Sequence, residues 1–541
     1  MYQDERRSHE SNKPRIEQLS VQDDAVSEDP PYPPRRLKQR HIAGTLGTGL
    51  FLGSGEALSG AGPVGALIAY ALVGTVVFAS LCSLAEMTAL APVPGSFPYY
   101  ASRWVDEALG FAVSTTMLYF NPLTIPVEIS GAQLLITYWD KNHQAIYIAI
   151  MCCATCAINV FGVRRVHSYF GEAEFVFSTM KLTLITALIL IGLVIDLGGA
   201  PDHDRLGFRY WKDPGPFAGA GLEPEHPALD RFLGLLSVIV QAAFSFQGME
   251  IAAIAASETE IPRRNIAKAI RRTFFRILVF YILGIFIAGL VVRSDDGDLL
   301  PPFSDTSRGN ATESPFVIAM SQAKIKVVPV IVNAGFITSA FSAGNSFLYC
   351  SSRILYGLAI RKQAPAFFAR TWNGIPITAV LFTAAFGLLS FMGVSHGGVK
   401  AFTWFVSLST VGGFFSWATM NLTYLRLYGG MKYQNIDRKT LHYRSPFQPW
   451  LSIWGLVWCI IFILISGFQV FWNFDRNTFL TSYINVPLFF CLYFFWKFSK
   501  GTHIWTVDIM NYTQGIPPPE ETERPERKLH GFWEKLADIL F

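Results

Sequence analysis

The sequence predicts an all-α integral membrane protein with about twelve transmembrane helices. Charged residues make up only 16% of the 541 residues and hydrophobic residues 51%, whereas about 25% of residues are charged in soluble domains. The apolar residues fall in runs of about 18 or more, enough to cross roughly 30 Å of hydrocarbon. These runs lack the polar face at helical period that a soluble helix needs.

The apolar runs place the candidate spans in order along the chain. They occupy residues 42–60, 65–90, 111–139, 145–163, 173–197, 232–256, 273–293, 327–350, 376–394, 401–427, 449–472 and 482–499. Residues 1–39 are polar and proline-bearing and are predicted to be a disordered tail. The transmembrane domain is predicted over residues 40–500, with a second tail over 501–541. The end of that tail, FWEKLADILF, fits either an amphipathic helix on the membrane surface or an extended tail.

Arg and Lys recur in alternate loops. They occur before span one (Arg35, Arg36, Lys38, Arg40) and after spans four (Arg164, Arg165), six (Arg263, Arg264, Lys268, Arg271, Arg272), eight (Arg361, Lys362, Arg370), ten (Arg426, Lys432, Arg438, Lys439) and twelve (Lys497, Lys500). Because such loops stay on the cytoplasmic side, both termini are predicted to be cytoplasmic. The opposite loops include residues 196–230 and an N-x-[ST] sequon at Asn310, which is a weak indication of glycosylation.

Composition and motifs argue against several functional classes. A net charge of +4 gives no reason to expect nucleic-acid binding. All seven cysteines lie in apolar segments, and the lone C-x-x-C of Cys153 and Cys156 fits small-residue helix packing better than a metal or redox site. No nucleophile–base pair and no metal-ligand cluster is visible in the sequence. The chain is therefore not expected to be an enzyme or to need a cofactor or metal.

The first span is unusually rich in glycine, with seven between Gly44 and Gly62. A phosphate-binding loop is excluded because G-x-x-x-x-G-K-[ST] is absent. Gly49 and Gly53 form a G-x-x-x-G, which fits a helix-packing surface. A broken helix fits as well: its unwound backbone must line a cavity, where N–H groups meet an anion and carbonyls a cation. A free amino acid has both charges on neighbouring atoms.

An inverted repeat would place a second broken helix five spans later. The sixth span contains AAFSFQGMEIAAIAASE, where Gly248 stands between Phe246 and Glu250. One glycine in a span is ordinary, but a glycine beside a buried acid in this particular span is not. The pair of segments predicts broken helices one and six.

These stretches resemble the fungal amino-acid permeases of the amino acid–polyamine–organocation superfamily over about residues 35–515. The matching stretches are GTLGTGLFLGSG, AGPVGALIAY, PVPGSFPYYASRWVDEALGFAV, IPVEIS, FGVRRVHSYFGEAEFVFSTMK, GFRYWKDPGPF, AAFSFQGMEI, ESPFVIAM, FSAGNSFLYCSSRILYGLA and GFQVFWNF. The resemblance implies two five-helix inverted repeats plus two C-terminal helices. It also implies proton-coupled import of amino acids at the plasma membrane, with the lipid bilayer as the surroundings.

The resemblance also implies a binding site. The substrate carboxylate would be held by Gly47, Thr48 and Gly49, and the ammonium by carbonyls near Thr45, Phe244 and Gln247, with Gly248 at the break. Phe244 and Phe246 would cover the site, although simple aromatic packing fits each of them equally well. Asn345 and Ser346 would either line the cavity or form hydrogen bonds between helices.

Lys181, Glu128 and Glu250 are ionisable residues predicted to be buried inside spans, where a charge is costly and suggests function. Lys181 resembles a lysine that takes the place of a sodium ion in related transporters, which implies a proton carrier. The alternative is a structural lysine whose ammonium extends to the membrane surface. Glu128 and Glu250 are candidate site acids, and Glu250 fits equally well as a support for the helix break.

Substrate preference and transport competence are less determined. SFQGME, GFRYWKDPGPF, IPVEISGAQ and SRILYGLA favour the cationic (lysine and arginine) branch, although other branches also have acids here.

The chain has about five residues fewer than such permeases between RHI and GTLGTG, so residues 42–58 are shorter than the roughly 20 that a span requires. The alternatives to a transporter are therefore a transport-defective sensor-like permease or a gene model with a truncated first helix.

Overall fold

The computed structural model describes residues 48–51, 53–92, 96–140, 142–161, 169–250, 262–299, 314–372, 374–394, 398–441, 443–512, 516 and 531. Several predicted features lie outside these residues. They are the tail over 1–39, the short segment 42–47 with Thr45 and Gly47, the sequon at Asn310 and the FWEKLADILF end. The Thr48 side chain is likewise outside the description.

Within the described ranges the regular structure is helical, with isolated β-bridges but no strand. The α-helices are α1 Thr48–Phe51, α2 Gly53–Leu90, α3 Ser96–Trp104, α4 Glu107–Ile136, α5 Gln144–Phe161, α6 Tyr169–Asp196, α7 Arg209–Lys212, α8 Pro227–Ser237, α9 Ile239–Phe246, α10 Pro262–Arg276, α11 Leu283–Val291, α12 Pro315–Gln322, α13 Val328–Ile360, α14 Ile377–Ala385, α15 Gly398–Tyr433, α16 Trp450–Ile465, α17 Arg476–Tyr483 and α18 Asn485–Lys500. The predicted all-α class is confirmed.

Helical structure occurs in all twelve ranges predicted as spans. By length and composition, seven described helical stretches can cross a membrane, and the α17–α18 pair, bent by 42°, is an eighth candidate. The seven are Gly49–Leu90, Gln144–Phe161, Ala173–Asp196, Pro227–Phe246, Arg272–Val291, Ile377–Val394 and Trp450–Phe471. Helices α4, α13 and α15, with 30, 33 and 36 residues, are also long enough to cross. They are more polar, and many of their polar side chains are buried.

The first two predicted spans are separated by a kink inside α2. Gly62 has φ 75° and ψ 172°, and Pro63 follows it. A Cβ at Gly62 would lie 2.6 Å from the backbone nitrogen of Ala218, so glycine is required both for its positive φ and for the close approach. The Ala218 N–H donates to the Ala61 carbonyl, and the Val64 N–H donates to the Pro216 carbonyl, both at 2.9 Å. The loop after α6 therefore supplies hydrogen bonds that the interrupted helix lacks.

Hydrogen bonds and ion pairs connect segments that the charge pattern places on the same side of the membrane. Arg263 Nε, after span six, donates to the Ala89 carbonyl at the end of span two, at 3.1 Å. Lys497 Nζ, at the end of span twelve, pairs with Asp106 before span three, at 2.5 Å. In the opposite set of loops, Trp472 Nε1 donates to Glu223 Oε1 at 2.8 Å. The two sets match the predicted alternation, and which of them faces the cytoplasm stays a prediction.

Candidate functional site

The helix of the sixth span is interrupted in its middle. Helix α9 ends at Phe246, and Gln247 adopts φ −63° and ψ 140°, an extended conformation. Gly248 follows with φ 93°, which a residue with a side chain rarely adopts. The backbone groups around Gln247 and Gly248 are thus released from regular helical hydrogen bonding at the position that the sequence predicts.

Glu250 contacts this break directly. Its side chain is fully buried, Oε1 accepts from the Gly248 N–H at 3.4 Å, and Oε2 accepts from Trp417 Nε1 at 3.3 Å. The carboxylate therefore binds an N–H group that the break leaves free and ties it to α15. Of the two interpretations that the sequence left open, this geometry favours Glu250 as a support of the break.

The start of the described first span packs against the end of α9. A Cβ at Gly49 would lie 2.6 Å from Ser245 Cα and 2.9 Å from Ser245 N, and a Cβ at Gly53 would lie 2.9 Å from Gln241 Nε2. The Gly49–Gly53 motif is therefore a close-packing surface, as the G-x-x-x-G pattern predicts. The same contact brings the glycine-rich segment of the first span beside the break of the sixth, so the two interpretations of these glycines are compatible.

The two phenylalanines before the break face different surroundings. Phe246 is fully buried and stacks on Tyr281, with ring centroids 4.5 Å apart, while Tyr70 lies at 6.0 Å on another side. Phe244 belongs instead to a cluster formed by α4 and α15, which includes Val127 and Phe402. The contacts of Phe246 are those of a packing residue, whereas Phe244 lies between the break and the helices across from it.

The polar residues near the break connect helices. Gln247 Nε2 donates to the Ser409 carbonyl at 3.1 Å, which ties the break to α15. Asn345 Oδ1 accepts from Asn159 Nδ2 at 2.7 Å, which ties α13 to α5. Ser346 Oγ donates to the carbonyl of Ser342, one turn earlier, at 3.0 Å. Hydrogen bonding between helices is therefore the interpretation that fits Asn345.

Lys181 is buried in the middle of α6, with 2% of its surface exposed. Its ammonium has no hydrogen-bond partner among the described atoms. The membrane-crossing stretch begins eight residues before it, at Ala173, about 12 Å away at 1.5 Å per residue. A lysine side chain cannot span that distance, so the location argues against a lysine that extends to the membrane surface.

Two carboxylates interact electrostatically with the Lys181 ammonium: Glu128 on α4 and Glu174 on α6. Both are buried, at 2% and 4% exposure. Glu128 is among the site residues predicted above, whereas Glu174 is not, although it lies in the stretch GEAEFVFSTMK. Its spacing from Lys181 is the feature of the sequence that points to Glu174, because residues seven apart lie two turns apart on the same face of a helix.

The cysteines and metal-ligand residues form no further site in the part of the chain that the structure describes. All seven cysteines, including Cys153 and Cys156, are free. The described residues contain no group of three or more metal-ligating side chains. The buried polar groups around Lys181 and around the break are therefore the features from which a function can be argued.

An interrupted helix packed against a glycine-rich span, together with a buried lysine that interacts with two carboxylates, is typical of one class, the membrane transporters with broken helices. The amino acid permease family model matches residues 39–508. The chain belongs to this family, which consists of transporters, and the resemblance noted in the sequence is confirmed.

Fungal relatives cover most of the chain. It is 40% identical to the dicarboxylic amino acid permease of Saccharomyces cerevisiae, over 93% of this chain and 86% of that protein. It is 34% identical to the basic amino-acid permease of the same yeast, over 96% and 92%. It is 37% identical to the proline-specific permease of Emericella nidulans, over 87% and 84%. These relatives are named for acidic, basic and neutral substrates, so the family does not fix the substrate of this chain.

A solved structure supports the fold alone. The chain aligns with a manganese transporter variant from Eremococcus coleocola with a TM-score of 0.51 at 13% identity, over 85% of this chain and 93% of that one. An identity this low says nothing of the transported species.

Proposed function

We propose that the protein is a secondary active transporter that imports amino acids across the plasma membrane by proton symport, with both termini in the cytoplasm. The observation that carries the proposal is the break at Gln247 and Gly248, packed against the glycine-rich first span at Gly49. Paired helix breaks expose backbone N–H groups and carbonyls inside the membrane, where lipid cannot satisfy them and a zwitterion can.

In this mechanism the amino acid binds by its two backbone charges. The N–H groups of residues 47–49 and the Thr48 hydroxyl receive the carboxylate, and carbonyls near Thr45, Phe244 and Gln247 receive the ammonium. Glu250 supports the break through the Gly248 N–H, and Phe244 packs beside it against α4 and α15. Binding both charges at once restricts transport to substrates that have both an ammonium and a carboxylate group.

Proton coupling would use Lys181, the buried base on α6. A proton taken from outside makes it an ammonium, which the carboxylates of Glu128 and Glu174 stabilise. Loss of that proton to the inside resets the transporter. The proton gradient then supplies about 1.4 kcal/mol per pH unit for accumulation of one amino acid with one proton.

The side chain of the substrate is the least determined part. The sequence favours lysine and arginine, through a pairing with Glu128 or Glu250. The contacts weaken this argument, because Glu250 already binds Gly248 and Trp417 and Glu128 already interacts with Lys181. A competition assay with unlabelled lysine, arginine, aspartate, glutamate and proline will decide among cationic, acidic and neutral substrates.

The decisive experiment is uptake of a panel of radiolabelled amino acids in a permease-deficient fungal host. Saturable uptake is the expected result. No uptake by protein that reaches the cell surface would favour the alternatives, a sensor-like permease or a gene model truncated in the first helix. Transcript sequencing across the codons of His41 to Gly44 separates these two, because a modelling error would reveal about five additional apolar residues.

A further inference from the structure

Helix α6 has a buried polar face on its N-terminal half. Glu174, Ser178 and Lys181 follow one another at i, i+4 and i+7, which places all three on one side of the helix. They are 4%, 1% and 2% exposed. Such a row inside an otherwise apolar span is costly in a membrane, so a functional reason is expected.

Hydroxyl groups of α13 face the same row. Ser342 Oγ lies 3.5 Å from Glu174 Oε1 and 3.4 Å from Oε2. Ser346, one turn further along α13, donates its hydroxyl to the Ser342 carbonyl at 3.0 Å. A serine hydroxyl both donates and accepts, so it can hydrogen-bond Glu174 with or without a proton on the carboxyl group.

Among the side chains that the structure describes, the charge that acts on Glu174 is that of Lys181. Lys181 lies on its own helix, and Glu128 lies on α4 beside Lys181. Helices α11 and α12 also pack against α6, and neither has an ionisable side chain. With Lys181 protonated and both carboxyl groups ionised, this group of three has a net charge of −1, and one further proton makes it neutral.

The row is directed along the expected proton path. Helical side chains tilt towards the N-terminus of their helix, so the Lys181 side chain extends towards Glu174. The N-terminal end of α6 follows the basic loop after span four, which the charge pattern places in the cytoplasm. Glu174 therefore lies between Lys181 and the predicted inner end of the helix, with the Ser178 hydroxyl between the two.

We propose that Glu174 is the inner proton acceptor of this transporter, which takes the proton from Lys181 and releases it to the cytoplasm; this inference rests on the proposed proton symport. An N–H bond of the Lys181 ammonium breaks and an O–H bond forms on a Glu174 carboxylate oxygen, through the Ser178 hydroxyl or a water molecule. The net charge of the pair is unchanged. Glu174 then gives the proton to water at the inner side, and Lys181 is ready for the next one.

The test uses the full-length protein in liposomes, with the amino acid that shows the highest uptake in the panel. The membrane potential is clamped at zero, and the inside is one pH unit more alkaline than the outside. The unmodified protein is expected to accumulate substrate about tenfold, the ratio set by one proton per amino acid. Glu174→Gln keeps the shape but cannot take the proton, so accumulation is expected to fall to a ratio near one while exchange at equal pH persists.

Asp196→Asn is the matched control, because it makes the same kind of change at the opposite end of α6. It is expected to keep the tenfold ratio. Tenfold accumulation by Glu174→Gln would overturn the assignment of Glu174 and leave proton symport standing. Failure of the unmodified protein to accumulate substrate would instead overturn proton symport, and the role of Glu174 with it.

Glu174→Asp is the second variant, in case Glu174→Gln does not reach the membrane. It retains a carboxyl group and draws it back by about 1.5 Å, the length of one C–C bond. The final ratio is expected to stay tenfold, while the initial rate of coupled uptake falls several-fold and exchange is unchanged. A rate of coupled uptake equal to that of the unmodified protein would contradict a direct proton transfer that depends on the position of this carboxyl group.

Discussion

Gly49 lies where the backbones of the first and sixth spans meet, and this contact decides what a side chain there would do. We expect Gly49→Ala to lower the melting temperature and the surface abundance, because its Cβ would lie 2.6 Å from Ser245 Cα. Overpacking of this kind costs about 1–3 kcal/mol. Gly49→Val adds two methyl groups at the same contact and is expected to abolish uptake.

Gly429→Ala is the control for Gly49, since Gly429 also lies in a helix but has nothing within 4 Å of its Cβ position. It is expected to be neutral or stabilising by up to about 1 kcal/mol. Thermal unfolding of the purified variants and uptake per molecule at the surface are the measurements. If Gly49→Ala is as well tolerated as Gly429→Ala, the close packing of the two spans is not a constraint.

Lys181 is the second residue whose surroundings give a sharp expectation. Lys181→Met keeps most of the volume and removes the charge, so it is expected to abolish accumulation against a gradient while exchange remains. Lys212→Met, in the exposed helix α7, serves as the control and is expected to change neither. Proton-driven accumulation that survives in Lys181→Met would exclude Lys181 as the proton carrier.

At the scale of elements, the loop after α6 completes the kink between the first two spans. Gly62→Ala would both strain a positive φ and place a Cβ 2.6 Å from the Ala218 nitrogen. Gly221→Ala, in the same loop region with φ 71°, has nothing within 4 Å and so reports the strain alone. The strain costs about 1–2 kcal/mol. We expect a clearly larger drop in melting temperature for Gly62→Ala, and equal drops would show that the loop yields without cost.

At the scale of the whole molecule, a buried acid joins the end of α2 to distant segments. Glu86 is fully buried and accepts hydrogen bonds from Arg438, from Tyr424 Oη at 2.7 Å and from the Ser445 N–H at 2.6 Å. The loop after α15 is thereby held against the second span. Removing one partner of a buried ion pair costs about 3–5 kcal/mol of stability. Because Arg438 is partly exposed, the expected cost here lies at the lower end of that range.

Glu86→Gln is therefore expected to destabilise the protein by on the order of 3 kcal/mol, measured by thermal or denaturant unfolding in detergent. Asp204→Asn is the matched control, because it breaks an ion pair with Arg209 in which both side chains are about half exposed. Its expected cost is below about 1 kcal/mol. A loss in Glu86→Gln no larger than in Asp204→Asn would show that the Glu86 cluster does not hold the loop in place.

The sequence by itself determined the features that depend on local chemistry. Long apolar runs gave helices in all twelve predicted ranges, because hydrocarbon thickness sets the length of a span. The break at Gly248 was predictable because a positive φ is accessible to glycine at little cost. Span ends were less predictable: α13 continues ten residues beyond the predicted end of span eight, since Leu355 and Ala359 pack there against Phe368 and Ala379.

Only the tertiary structure decided which side chains meet. The sequence could not place Ser342 against Glu174, turn Phe246 towards Tyr281 while Phe244 faces α4, or pair Asn345 with Asn159. These partners are far apart in the chain, and their contact depends on the rotation and axial position of each helix against its neighbours. Packing of small residues and hydrogen bonds between helices set those positions, because apolar side chains gain little by leaving lipid for another apolar surface.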